Sequence, residues 1–142
     1  MAGATRRVIA LLGTPIVLDE DEAAEAITPG HLVEYSGGNL IKHATAAGKA
    51  ARNFALERDE MGKDIDTAYA IGDQVKVGAF HQGQRVLVWI ASGQNITKGN
   101  YLESAGDGTL RAMGSGVPLA QAVENNNNAA GPGDSRLRVQ IV

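Results

Sequence analysis

The sequence predicts a mainly β domain, a small glycine-rich β-barrel or β-sandwich with two related hairpins and little helix. Three observations predict it. First, one segment occurs twice, sixty-nine positions apart. Ile27-Thr28-Pro29-Gly30 leads through Val33-Glu34 to Gly37-Gly38-Asn39 and Ile41-Lys42. Ile96-Thr97-Lys98-Gly99 leads through Leu102-Glu103 to Gly106-Asp107-Gly108 and Leu110-Arg111. Second, glycine supplies 18 of 142 residues, nearly twice the usual share of about 7%, which suits many turns and few long helices. Third, several runs alternate apolar and polar residues with the period of two expected of half-buried strands.

The elements follow in order. Residues 1–5 are small and read as an arm. Arg6–Leu12 reads as a first strand, Gly13-Thr14-Pro15 as a turn, and Ile16-Val17-Leu18 as a brief pairing segment. The acidic run Asp19-Glu20-Asp21-Glu22 with Ala23–Ala26 is expected as one helical turn or an exposed loop. In each copy of the repeat a four-residue turn places glycine third, at Gly30 and Gly99, where a type II turn requires positive φ. Asp107-Gly108 is a strong hairpin signal, and Gly37-Gly38-Asn39 a looser version of the same corner. Ala44–Arg52 fits helix or loop, Phe54–Glu57 a short strand, and Arg58–Thr67 a solvated loop. The clearest strands are Gln74–Phe80 and Gln84–Ala91, joined by His81-Gln82-Gly83. Val117–Glu124 has mixed periodicity, and Asn125–Asp134 reads as a mobile loop that buries no core. Leu137, Val139 and Ile141 alternate with Arg136, Arg138 and Gln140 in a closing strand. The total is eight to ten strands, with residues 1–12 as arm or first strand and 13–142 as a single β-rich domain.

Composition narrows the function. The chain has no cysteine, so it has neither a disulfide framework nor a thiolate nucleophile. A net charge of -3 gives no basic footprint for nucleic acid, and 4% aromatic residues leave few stacking platforms for bases. Arg6-Arg7 before Val8–Leu12 resembles an export leader superficially. However, Gly13-Thr14-Pro15 breaks the apolar run and acids follow it, so export is not expected. No stretch approaches the ~20 apolar residues of a membrane helix.

The residues that carry chemistry elsewhere do not assemble into a motif here. The acidic run lacks the spaced ligands and central glycine of a calcium loop. His31, His43 and His81 are scattered. Gly114-Ser115-Gly116 lacks the spacing of a nucleophile elbow and reads as a flexible loop. Glu34 and Glu103 recur at matched places, as residues on two solvent-facing strands would. Trp89, inside the strongest strand, is expected in the core. The reading is of a non-enzyme with no cofactor and no metal.

The most specific parts are His43-Ala44-Thr45-Ala46-Ala47-Gly48, Phe54-Ala55-Leu56-Glu57, Tyr69-Ala70-Ile71-Gly72-Asp73 and the second hairpin. With their order and spacing, from about residue 8 to the end, the chain resembles the small capsid decoration (cement) proteins of tailed bacteriophages. The resemblance implies a virion structural protein on the outer surface of an icosahedral head, assembled in the host bacterial cytoplasm. It implies attachment to the major capsid protein, often as a homotrimer, and bracing of the shell against packaged DNA, without nucleic-acid or membrane contact. The family transfers no motif residues. The expected capsid contact is the N-terminal segment, with Arg6, Arg7, Val8, Ile9, Leu11 and Leu12; the alternative is that this strand completes the protein's own barrel. A β-rich module displayed on a virion to bind carbohydrate or a host surface is the second functional reading.

Overall fold

A computed structural model of the chain describes residues 8–131 and 133–142. Among the described residues the regular structure is thirteen short strands and one turn of 3-10 helix, Asp59–Met61. In chain order the strands are β1 (Ala10–Leu12), β2 (Ile16–Glu22), β3 (Val33–Ser36), β4 (Asn39–Lys42), β5 (Asn53–Ala55), β6 (Gln74–Ala79) and β7 (Arg85–Ile90). There follow β8 (Asn95–Ile96), β9 (Tyr101–Ser104), β10 (Leu110–Ala112), β11 (Ala120–Ala122), β12 (Asn126–Asn127) and β13 (Ser135–Ile141).

A closed barrel of five strands forms the body, running β7-β10-β9-β11-β13 and back to β7. Its longest pairing sets β13 antiparallel to β7, with Leu137 opposite Val88 and Val139 opposite Val86. The alternation of β13 works as its sequence indicates. Leu137, Val139 and Ile141 are buried, while Arg136, Arg138 and Gln140 face outward at intermediate exposure. The other edge of β7 is filled in relay. Leu87 N–H donates to Ile9 C=O at 2.9 Å, Trp89 N–H to Gly30 C=O at 3.4 Å, and Ala91 N–H to Leu110 C=O at 3.0 Å.

Beside the barrel lie a three-stranded sheet, β2-β6-β5, and the hairpin β3-β4. Successive side chains of a strand point to opposite faces, so β5 and its extension serve two cores. Phe54 and Leu56 join the barrel core with Ile9, Phe80 and Val86. Ala55, with Val75 and Val77 of β6, joins a second core that includes Ile27, Val33, Leu40 and Tyr69. Burial on both faces explains why Phe54-Ala55-Leu56 shows no polar alternation.

The repeat is real in its turns and divergent in its hairpins. Gly30 has φ +98° and Gly99 φ +96°. The two turns close alike, His31 N–H donating to Thr28 C=O and Asn100 N–H to Thr97 C=O. Gly37 and Gly38, at φ +60° and +84°, form the tight two-residue connection between β3 and β4, as a type I′ turn requires. The second corner is wider, because Ala105 N–H donates to Thr109 C=O across Gly106-Asp107-Gly108. The expected ranking of the two corners is therefore reversed. The extra residue shifts the register by one, so Leu40 is the buried residue in β4 but Leu110 in β10.

Other expectations change as well. Asp19–Glu22 is neither helix nor loop but the second half of β2, with a register irregularity between Leu18 and Asp21. That bulge breaks the period of two and hides the strand from pattern reading. The two clearest strands, β6 and β7, do not pair with each other; β6 lies between β2 and β5. Asn126–Asn127, inside the expected loop, pairs with β8.

Candidate docking face

Of the six expected contact residues, Arg6 and Arg7 lie outside the described residues. The other four divide. Ile9 is fully buried in the barrel core, and Leu11 packs partly against it. Val8 is 45% exposed and Leu12 55% exposed. β1 pairs antiparallel with β7, Ala10 opposite Val86 and Leu12 opposite Arg85. Residues 9–12 thus form part of the protein's own body, and Ile9 is closed off as a contact by its burial. The segment is latched at its start, where Ile9 N–H donates to Glu57 Oε2 at 2.9 Å. Burial pushes the Glu57 carboxyl above the usual carboxylate range.

Beyond the turn at Gly13–Pro15 the exposure continues. Ile16 is 54% and Val17 49% exposed at the start of β2. Val8, Leu12, Ile16 and Val17 thus lie on either side of Gly13-Thr14-Pro15 as exposed large aliphatic side chains. Sequence reading missed Ile16 and Val17 as site residues. Their available signal was the apolar triplet abutting four acids.

β2 is also held electrostatically. The Arg58 guanidinium donates to both oxygens of Asp19, at 2.6 and 3.1 Å, and to Gln74 C=O at 2.9 Å. This bidentate hydrogen bonding holds the Asp19 carboxyl below the usual range. The Gln74 side-chain amide also donates to Asp19 C=O. Glu20 and Glu22 remain exposed along the strand. Within the described residues β2 pairs only with β6, and Ala23, just past its end, bridges Leu40 of β4.

Several of the residues tested for chemistry sit in structural roles, while His81 is exposed in the turn between β6 and β7. Glu34 and Glu103 do not share an environment, contrary to the expectation of two solvent-facing positions. Glu103 is 2% exposed. Its Oε2 accepts from Arg111 Nε at 3.0 Å and Nη2 at 2.8 Å, and its Oε1 from Gly114 N–H at 2.6 Å and Gly116 N–H at 3.3 Å. The Arg111 hydrogen bonds, aided by the Gly114 amide, hold the Glu103 carboxyl below its ordinary range. Gly114-Ser115-Gly116 is thereby a loop anchored at both glycines. Glu34 instead accepts from Ala44 N–H at 2.7 Å.

His43 is buried between the two hairpins, its Nδ1 2.7 Å from Ser104 Oγ and its Nε2 2.8 Å from Lys49 C=O. His31 accepts a hydrogen bond on Nδ1 from Thr28 N–H at 3.0 Å. At the matched place Asn100 Oδ1 accepts from Thr97 N–H at 2.9 Å. Burial first, and the Lys42 charge second, lower the His31 pKa to about 4. Trp89 is half-buried rather than in the core. Arg136 lies over its ring at 4.1 Å and its indole N–H donates to Pro29 C=O at 2.9 Å. Among the described residues no three His, Asp or Glu side chains converge as a metal site.

No protein-family model matches the chain. No curated protein matches it. A solved structure does. The chain is similar in fold to the N base of the head fiber gp8.5 in bacteriophage phi29, with a TM-score of 0.61. The match covers 89% of this chain and 95% of that one at 17% identity. At that identity the likeness is one of architecture, and it spans nearly the whole barrel-plus-sheet assembly.

Proposed function

We propose that the chain is a virion structural protein that attaches to the outer surface of an icosahedral phage head and braces it against the pressure of packaged DNA. The observation that carries this reading is the fold shared over most of both chains with the base of a phage head fiber. The resemblance of the sequence to capsid decoration proteins supports it independently. A closed barrel leaves few strand edges to aggregate, and Glu34, Glu103, His31 and His43 are engaged in internal hydrogen bonds. Such a protein works by repetition, since many copies on one lattice convert modest contacts into a durable shell.

On this reading the major capsid protein is the partner, the protein acts as a homotrimer, and docking uses the exposed side of the N-terminal strand. Val8 and Leu12 supply apolar contact there, and Arg6 and Arg7 precede them. Co-sedimentation of the purified protein with mature, expanded heads lacking it tests attachment. The expected result is saturable pelleting with heads and none without them. Absence of pelleting at every protein concentration and salt condition overturns the reading.

A further inference from the structure

We propose that the outer edge of β2 is a strand-addition site, which takes an extended segment of the capsid subunit carrying apolar residues next to lysine or arginine. This rests on the head-bound reading above and adds a second contact, on β2, to the one at the N-terminal strand.

The backbone geometry comes first. Leu56 N–H donates to Lys76 C=O and Phe80 N–H to Arg52 C=O. The even-numbered residues of β6 therefore bond toward β5, and its odd-numbered residues face β2. Ile16 opposes Ala79 and Leu18 opposes Val77, so these two spend their backbone groups on β6. Val17, opposite Gly78, turns its N–H and C=O away from the sheet, toward a stretch of edge that no described strand covers; β4 meets that edge only past its far end, at the Ala23–Leu40 bridge. An unpaired edge of this kind is a template for another strand.

Side chains then select the occupant. Ile16 and Val17 are about half exposed at one end of the edge, and Glu20 and Glu22 are exposed at the other. A second copy of β2 fits poorly. Laid antiparallel about Asp19, it sets Ile16, Val17 and Leu18 against Glu22, Asp21 and Glu20; laid parallel, it sets acid against acid. The acids and the bulge thus act against self-pairing. A strand that pairs beside Ile16–Leu18 through apolar residues and carries cations toward the exposed Glu20 and Glu22 meets both halves, ahead of the Ala23–Leu40 bridge. Main-chain bonds supply the register, and the charges speed and direct encounter.

Two measurements on the full chain test this. In hydrogen exchange on head-bound wild-type protein, the Val17 amide is expected to slow by about tenfold or more relative to free protein. In co-sedimentation, Val17→Pro removes the outward N–H, a change tolerated on an edge strand. It is expected to weaken retention by at least about tenfold, whereas Val17→Thr retains binding. Glu20→Gln with Glu22→Gln is expected to weaken retention and flatten its dependence on salt. Wild-type protein that pellets with Val17 unprotected, or retention of Val17→Pro equal to wild type, overturns the edge site and leaves the head-bound reading standing. Wild-type protein that never pellets overturns both.

Discussion

Glu103 and Arg111 face each other across β9 and β10 as a directly opposed pair, and the same carboxylate that receives the guanidinium also receives the amides of Gly114 and Gly116. One side chain thereby ties a hairpin to the loop beyond it. Replacing Glu103 with alanine strands two amides and a guanidinium. Glu103 is 2% exposed but Arg111 is 38% exposed, so the cost falls below that of a pair buried on both sides. The expectation is about 2 kcal/mol, or a fall of roughly 6 °C in Tm by thermal denaturation. An unchanged Tm contradicts the anchoring role.

Acid should destabilise the protein in two stages. The His31 pKa is lowered from 6.5 to about 4, so between those values the unfolded chain binds a proton that the folded chain refuses. Its contribution is complete above pH 6.5 and is lost as pH falls toward 4. Asp19 and Glu103 are lowered from ordinary values of 3.8 and 4.5. Their contributions hold above those values and disappear as pH falls below them. Glu57, raised by burial, acts in the opposite sense and loses stability as pH rises past 4.5. In denaturant midpoints measured from pH 3 to 8, the His31 loss should therefore set in first, below about pH 6.5, against the opposing gain at Glu57.

His31→Asn separates that first stage from the second. Asn100 already performs the same turn-closing role with its side-chain oxygen, so asparagine at position 31 should keep the bond to Thr28 N–H while removing the titration. The variant is expected to fold with a Tm within a few degrees of wild type, since one neutral hydrogen bond is worth about 1 kcal/mol. Its stability should no longer decline between pH 6.5 and 5. A decline as steep as that of wild type assigns the effect to another group.

Gly30 and Gly99 share a positive φ but not a neighbourhood. A Cβ at Gly30 would lie 3.0 Å from both Arg136 Nη1 and Leu87 C=O and 3.3 Å from the Trp89 ring, whereas nothing lies within 4 Å at Gly99. Gly99→Ala is expected to cost about 1 kcal/mol of backbone strain alone. Gly30→Ala adds collision with the backbone of β7 and should cost about 3 kcal/mol. Equal losses in chemical denaturation contradict this placement of the first turn against the barrel.

How far the sequence is readable follows from which interactions are local. The type II turns at Gly30 and Gly99 and the alternation of Leu137, Val139 and Ile141 are short-range signals, and the structure contains them as expected. Ile16–Leu18 was legible as a pairing segment, but the second half of β2 was not, because its bulge falls inside the acidic run and the run's Asp19 is held by Arg58, thirty-nine positions away. The burial of Glu103 was illegible for a related reason. Its matched partner Glu34 has the same sequence context, and only the wider second corner and the glycines at 114 and 116 distinguish them. Ile9, read as a contact residue from its place in an apolar run, is fixed in the core by pairing with β7, which lies far along the chain.

Bracing of a shell is a stronger property than occupancy of heads. Thermal release of DNA from packaged heads, followed with an excluded dye on heads saturated with the protein and on heads lacking it, measures bracing directly. Release is expected at a higher temperature from saturated heads, with Val17→Pro giving little or no rise under the same conditions. Identical release temperatures on heads verified to be saturated with the wild-type protein would contradict it.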